Sequence, residues 1–205
     1  LDCREQGGVT GNDAAYSGSG MVTNLVSKGI LDTNEYYYRA VYMDCQKALD
    51  LLETLPFIDG DRLFVRGTSQ GGALGMAVSA LDPRVKLALV NVPSNSNLEA
   101  RVQGRHGSFA AVNDYLRKFP DNLDKAYETL SYFDTMNMAQ DIRAKVFASV
   151  ALADPVCPAK CYYATYNRIL SEKSICVYPF NEHDGARDTH VEREMRFIRD
   201  SGILN

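Results

Sequence analysis

Apolar residues recur along this chain in two rhythms, and the order in which those rhythms alternate carries the first structural information. Residues 85–92 (VKLALVNV) and 145–152 (KVFASVAL) are nearly continuous apolar runs, the pattern of strands buried on both faces. Shorter apolar segments at 62–66 (RLFVR) and 174–180 (SICVYPF) also read as strands. Between them the period changes. Val41, Cys45, Ala48, Leu49, Leu52 and Leu55 recur at helical spacing until Pro56, with Asp32 and Glu35 resembling a capping box ahead of them. Further helices are predicted from about 70 to 81, in two or three pieces across 108–143, over 159–170 and over 189–199. Residues 9–31, rich in Gly, Ser, Asn and Thr without apolar period, read as a long loop. Strands alternating with helices imply an α/β fold, a mostly parallel sheet with helices on both faces and right-handed crossovers, forming one domain over residues 1–205.

Composition narrows the partners. Of 205 residues, 45% are hydrophobic and 23% charged, enough apolar content for a sizeable core. A net charge of −4 without clustered Lys and Arg argues against a nucleic-acid surface. No apolar run reaches the roughly 18 residues of a membrane span. Cys3, Cys45, Cys157, Cys161 and Cys176 are odd in number and lack the doublet spacing of a zinc site, so free thiols in a reducing, cytoplasmic setting are expected, with no metal and no cofactor. The chain opens Leu1-Asp2-Cys3 without Met or helix start, which reads as the carboxy-terminal major part of a longer unit whose amino-terminal strands lie upstream.

The chemistry centres on Gly67-Thr68-Ser69-Gln70-Gly71, placed between a predicted strand and a predicted helix. In an open parallel sheet, ligands meet the carboxyl ends of the strands. A G-x-S-x-G turn there holds the serine in a strained conformation, tolerable when Gly67 and Gly71 carry no side chains to collide, and aims the Gln70 N–H at a developing oxyanion. A serine hydroxyl needs a base to take its proton and an acid to hold that base. His106 lies in a polar stretch and His190 on a charged helix, so both are expected at the solvated surface. His183 instead follows the last strand across a short loop. Asp154 follows the strand before it, in a loop stiffened by Pro155 and Pro158, whereas Asp82 belongs to the opposite edge and Asp184 would have to fold back on its neighbour. Ser69, Asp154 and His183 are the expected nucleophile, acid and base, and Pro93 and Val156 are candidates for the pocket that takes the acyl group.

These residues resemble the acetyl xylan esterase and cephalosporin-C deacetylase family, carbohydrate esterase family seven within the α/β-hydrolases, over essentially the whole chain. Its markers correspond to Arg4-Glu5-Gln6, to the Ser69 turn and to His183-Asp184, with 130–134 (LSYFD) and 154–167 (DPVCPAKCYYATYN) also similar. The resemblance implies a metal-free serine esterase that deacetylates xylo-oligosaccharides and related small esters, commonly as a homo-hexamer. Arg4, Gln6 and Asp184 then support the motif loops. Two residues depart from the family pattern: Glu5 stands where the first motif has glycine, and Asp184 is one methylene shorter than the usual glutamate. The resemblance also assigns a second oxyanion donor to a tyrosine upstream of the first motif. Other readings stay open: a peptidase or dienelactone-hydrolase type enzyme on the same scaffold, a catalytically impaired interaction module, or a metal set of His183, Asp184, Asp188 and His190, whose spacing matches no ligand pattern.

Overall fold

The structure, a computed structural model, describes residues 1–17 and 24–204. Four parallel strands form its frame: β1 (Phe64–Thr68), β2 (Leu87–Asn91), β3 (Lys145–Ala151) and β4 (Lys173–Tyr178), in the order β1-β2-β3-β4. Each falls within two residues of its expected place. β2 is buried at every position, while β1, which pairs on one side only among the described residues, alternates in exposure, so the continuous and the shorter apolar runs reflect central and outer places in the described sheet.

The helices divide unevenly between the two faces. Over one face lie α1 (Tyr37–Glu53), α2 (Gln70–Leu81), α3 (Leu98–Gln103), α4 (Ala110–Lys118), α5 (Leu123–Phe133), α6 (Thr135–Met138) and α7 (Ala159–Tyr166), sharing one apolar cluster with the inward side chains Ala88, Val90, Val146, Ala148 and Val150. The other face carries α8 (Arg187–Asp200), whose Ile198 packs on Leu87, Leu89 and Phe147. Side chains alternate along a strand, so one register serves both cores.

One helix start and one helix end differ from the sequence reading. α1 begins at Tyr37 rather than at Asp32, because the Asp32 carboxylate accepts from Asn34 N–H and its carbonyl from Glu35 and Tyr36: the Asp32–Glu35 pair closes a turn. The helix over 159–170 stops at Tyr166. The expected loop over 9–31 contains a short 3₁₀ turn, Leu25–Ser27, capped by Asn24, and its positions 18–23 lie outside the described residues. No helix among the described residues is long and apolar enough to cross a membrane.

Candidate active site

β1 ends at Thr68 and α2 starts at Gln70, leaving Ser69 alone to reverse the chain, with φ of +55°. Such a conformation costs a non-glycine residue about 1–3 kcal/mol and persists only where its surroundings enforce it. Here they do: Ser69 N–H donates to the Asn91 carbonyl (2.9 Å), and the Ser69 carbonyl accepts from Ser94 and Ala73 N–H. Gly67 is required, since a Cβ there would lie 2.2 Å from the Gly71 backbone. Gly71 is not required on that ground, because a Cβ there meets nothing within 4 Å. The close approach is made one residue later, where a Cβ on Gly72 would sit 3.0 Å from Pro93. The second tight position is thus Gly72 rather than the expected Gly71.

Asp154 and His183 arrive from the ends of β3 and β4. The β3–β4 ladder continues past the strands through Leu152 N–H to the Tyr178 carbonyl (3.0 Å) and Ala153 N–H to Asn181 (3.2 Å), which ties the loop of Asp154 to the loop of His183. The Asp154 side chain is wholly buried. Its Oδ1 accepts Val156 and Cys157 N–H, each at 2.8 Å, and its Oδ2 lies 2.8 Å from His183 Nδ1. His183 Nε2 is then 3.0 Å from Ser69 Oγ. A carboxylate on Nδ1 places the ring proton there and leaves Nε2 as the acceptor. One hydrogen-bonded line therefore runs through the three residues.

The His183 loop is set from beneath. Gly185 (φ +59°) lies so close to the buried Asn91 that a Cβ would stand 2.5 Å from its Oδ1, and Ser149 donates to that same oxygen. Asp184 accepts from Asn181 (3.1 Å) and stays out of the line.

A cavity of about 420 Å³ opens in front of Ser69, lined by Gln6, Tyr38, Gln70, Val156 and Cys157 among others. Val156 is where the sequence placed it. Pro93 is absent from that lining and instead packs under the first turn of α2. Gln70 Nε2 donates to Tyr38 OH (3.0 Å), and the first N–H groups of α2 have no intrahelical partner. Arg4 makes a two-pronged pair with Asp44 on α1 (2.7 and 2.6 Å), its carbonyl accepts Tyr37 OH, and Gln6 Nε2 donates to that same hydroxyl (3.0 Å). These bonds dock the first motif beside the cavity. Glu5 has φ of +59°, a region that favours glycine, and is held by Asn12 and Lys28.

Cys157 was overlooked in the sequence. Its Sγ lies 3.9 Å from Ser69 Oγ and burial pushes its thiol up. Its position three residues after Asp154 was the signal available. Asp154, Cys157 and His183 each offer a donor atom within 4.8 Å of the others, which makes them the set able to hold a metal ion among the described residues. His190 does not join His183. Contrary to the surface position expected of it, His190 is fully buried on the α8 side, with Nδ1 3.1 Å from Tyr178 OH and its ring stacked on Phe147. His106 is partly exposed, with Nδ1 3.3 Å from the Pro155 carbonyl.

A parallel sheet with a strained serine at one strand end, an acid at a later one and a histidine at the last is the arrangement of an α/β-hydrolase. The family model described as acetyl xylan esterase (AXE1) matches residues 1–201, and the chain belongs to that family. It is 34% identical over 173 residues to the acetyl esterase Axe7A of Xylanibacter ruminicola, covering 84% of this chain and 38% of that protein. Among solved structures, it is similar to an acetyl xylan esterase from a Paenibacillus species (37% identity, TM-score 0.93, 97% of this chain and 64% of that one). It is also similar to acetyl xylan esterase 1 from a Thermoanaerobacterium species (30% identity, TM-score 0.89, 96% and 63%). The chain thus spans less than two thirds of the length of each of these relatives.

Proposed function

We propose that this chain carries the catalytic centre of a serine esterase that removes acetyl groups from acetylated xylo-oligosaccharides and related small esters. The observation that carries the reading is the continuous line from Asp154 Oδ2 through the His183 ring to Ser69 Oγ, with spacings of 2.8 and 3.0 Å. Ser69 Oγ attacks the acetyl carbonyl while His183 Nε2 takes its proton. The oxyanion that forms faces the start of α2, where the Gln70 N–H stabilises it. His183 passes the proton to the departing sugar oxygen, leaving an acetyl ester on Ser69. Water, deprotonated by His183, then attacks that ester, and the proton returns to Ser69 as acetate leaves. Asp154 keeps Nδ1 protonated and stabilises the imidazolium without taking the proton.

Val156 borders the space for the acyl group, and Arg4, Gln6 and Asp184 support the loops around it. The relatives named as acetyl or acetyl xylan esterases support this substrate class over peptides. Five free cysteines fit a reducing, cytoplasmic setting, and the family resemblance supports a homo-oligomer, a hexamer, which sedimentation of the protein tests. Activity is tested with 4-nitrophenyl acetate, acetylated xylo-oligosaccharides and a peptide panel. Acetate release without peptide cleavage is expected, and Ser69→Ala should lower kcat on the order of 10⁵- to 10⁶-fold. Peptide cleavage in place of deacetylation would defeat the reading.

A further inference from the structure

Among the described lining of the Ser69 cavity, Arg101 is the one charged residue. Its side chain is 1% exposed, and no carboxylate among the described residues pairs with it. Its contacts are all to uncharged groups: Nη1 to Ser94 Oγ (3.1 Å) and Cys157 Sγ (3.5 Å), Nη2 to the Val156 carbonyl (2.8 Å), and the Phe109 ring 5.0 Å away. Nε has no partner. Asp154 belongs to the same loop as Cys157, but its Oδ1 is taken by two backbone N–H groups and its Oδ2 by His183.

A guanidinium does not lose its proton in a protein, so burial cannot neutralise it as it would a lysine or histidine. Desolvation without a contacting counter-ion is costly, and the field of such a cation in a low-dielectric wall falls, opposed by that of the Asp154 carboxylate, on whatever enters the space beside it. That space holds the nucleophile. Cys157 Sγ touches both Arg101 Nη1 and Ser69 Oγ (3.9 Å), so the cation stands one side chain behind the serine. We propose that Arg101 makes the Ser69 cavity a binding site for small monocarboxylates, foremost the acid released by ester cleavage, which therefore competes with the ester. The product role rests on the esterase reading; the preference for an anion rests on Arg101 alone.

The test compares acetate with acetamide, which has the same shape and no charge, by calorimetry on the wild-type protein and on Arg101→Lys and Arg101→Met at matched ionic strength. Wild-type protein is expected to bind acetate roughly tenfold or more tightly than acetamide. Arg101→Met should erase that ratio without weakening acetamide, and Arg101→Lys should keep most of it. Acetate should also slow fluorophosphonate labelling of Ser69, while an equal concentration of sodium chloride should not. Equal affinity for acetate and acetamide in the wild type overturns the inference, as does a ratio unchanged in a folded Arg101→Met. Should Arg101→Met not fold, the wild-type ratio and its decline with salt still decide. Failure of fluorophosphonate to label Ser69 would sink the esterase reading, while the calorimetric comparison would judge Arg101 separately.

Discussion

At the residue scale, three glycines near the catalytic loops separate conformational need from motif membership. A Cβ on Gly67 would strike backbone of the first turn of α2, which cannot yield without moving Ser69. Gly67→Ala should therefore cost about 3 kcal/mol or more in urea denaturation. Gly71 faces open space, and Gly71→Ala should change stability by no more than about 1 kcal/mol. Gly185→Ala combines a positive φ with a clash on Asn91 and displaces the loop that holds His183. A misplacement of about an ångström is enough for a roughly hundredfold loss of kcat. Steady-state kinetics with near-native circular dichroism would show that pattern; unchanged kcat would contradict it. That Ser69, Asp154 and His183 come together was legible because each is tied to a strand end that apolar patterning locates. Arg101 was not: an arginine in LEARVQGR has the composition of a surface helix, and only the docking of α3 against the loop after β3 turns it inward. Pro93 was misplaced for a related reason, since the pattern gives a residue's distance from a strand end but not the direction in which the loop turns.

At the element scale, α8 shows what period alone misses. Its sequence, RDTHVEREMRFIRD, is dominated by charge, yet His190, Glu194 and Ile198 repeat every four residues and form its buried stripe. Glu194 is fixed by Arg66 from β1 (2.8 Å), while its Oε1 lies 3.6 Å from His190 Nε2, and neither of those atoms has a hydrogen-bond partner. Burial, with Arg66 and Arg193 adding to it, pushes His190 down from 6.5 to about 4. The folded protein consequently binds this proton more weakly than the unfolded chain does. The contribution to stability is full above pH 6.5 and falls as pH drops toward 4, by up to about 3 kcal/mol. Burial pushes Glu194 up, against the pull of Arg66, which acts with the opposite sign: its contribution is full below the unfolded carboxyl value and is lost as pH rises through the folded one. Urea denaturation at pH 7 and pH 4.5 should show His190→Gln losing less stability on acidification than the wild type. Parallel losses in the two proteins would refute the assignment. The central strands were readable because burial on both faces leaves a continuous apolar run. The six-residue α3 offered too few turns to show a period, and α1 was drawn too long because an aspartate and glutamate three apart serve a turn as well as a cap.

At the scale of the whole molecule, the sheet order keeps sequence neighbours adjacent, so the carboxyl ends of β1, β3 and β4 deliver Ser69, Asp154 and His183 to one rim. β2 lies between the first two and contributes from below, through the Asn91 carbonyl on Ser69 N–H and the Asn91 side chain against Gly185. β1 pairs on one side only among the described residues, and a second cavity of about 520 Å³ lies along it, bordered by Cys3, Val65, Gly71 and Leu74. The relatives are longer than this chain, so the activity of the chain by itself is a separate measurable quantity. The central claim is that Ser69 becomes covalently acylated and that the His183–Asp154 pair drives both halves of the reaction. Rapid-quench mass spectrometry during turnover of 4-nitrophenyl acetate tests it directly. One acetyl group per chain is expected on the peptide containing Ser69, absent in Ser69→Ala and formed far more slowly in His183→Ala. An acetyl group found instead on Cys157, or turnover with no adduct on Ser69, would contradict the account.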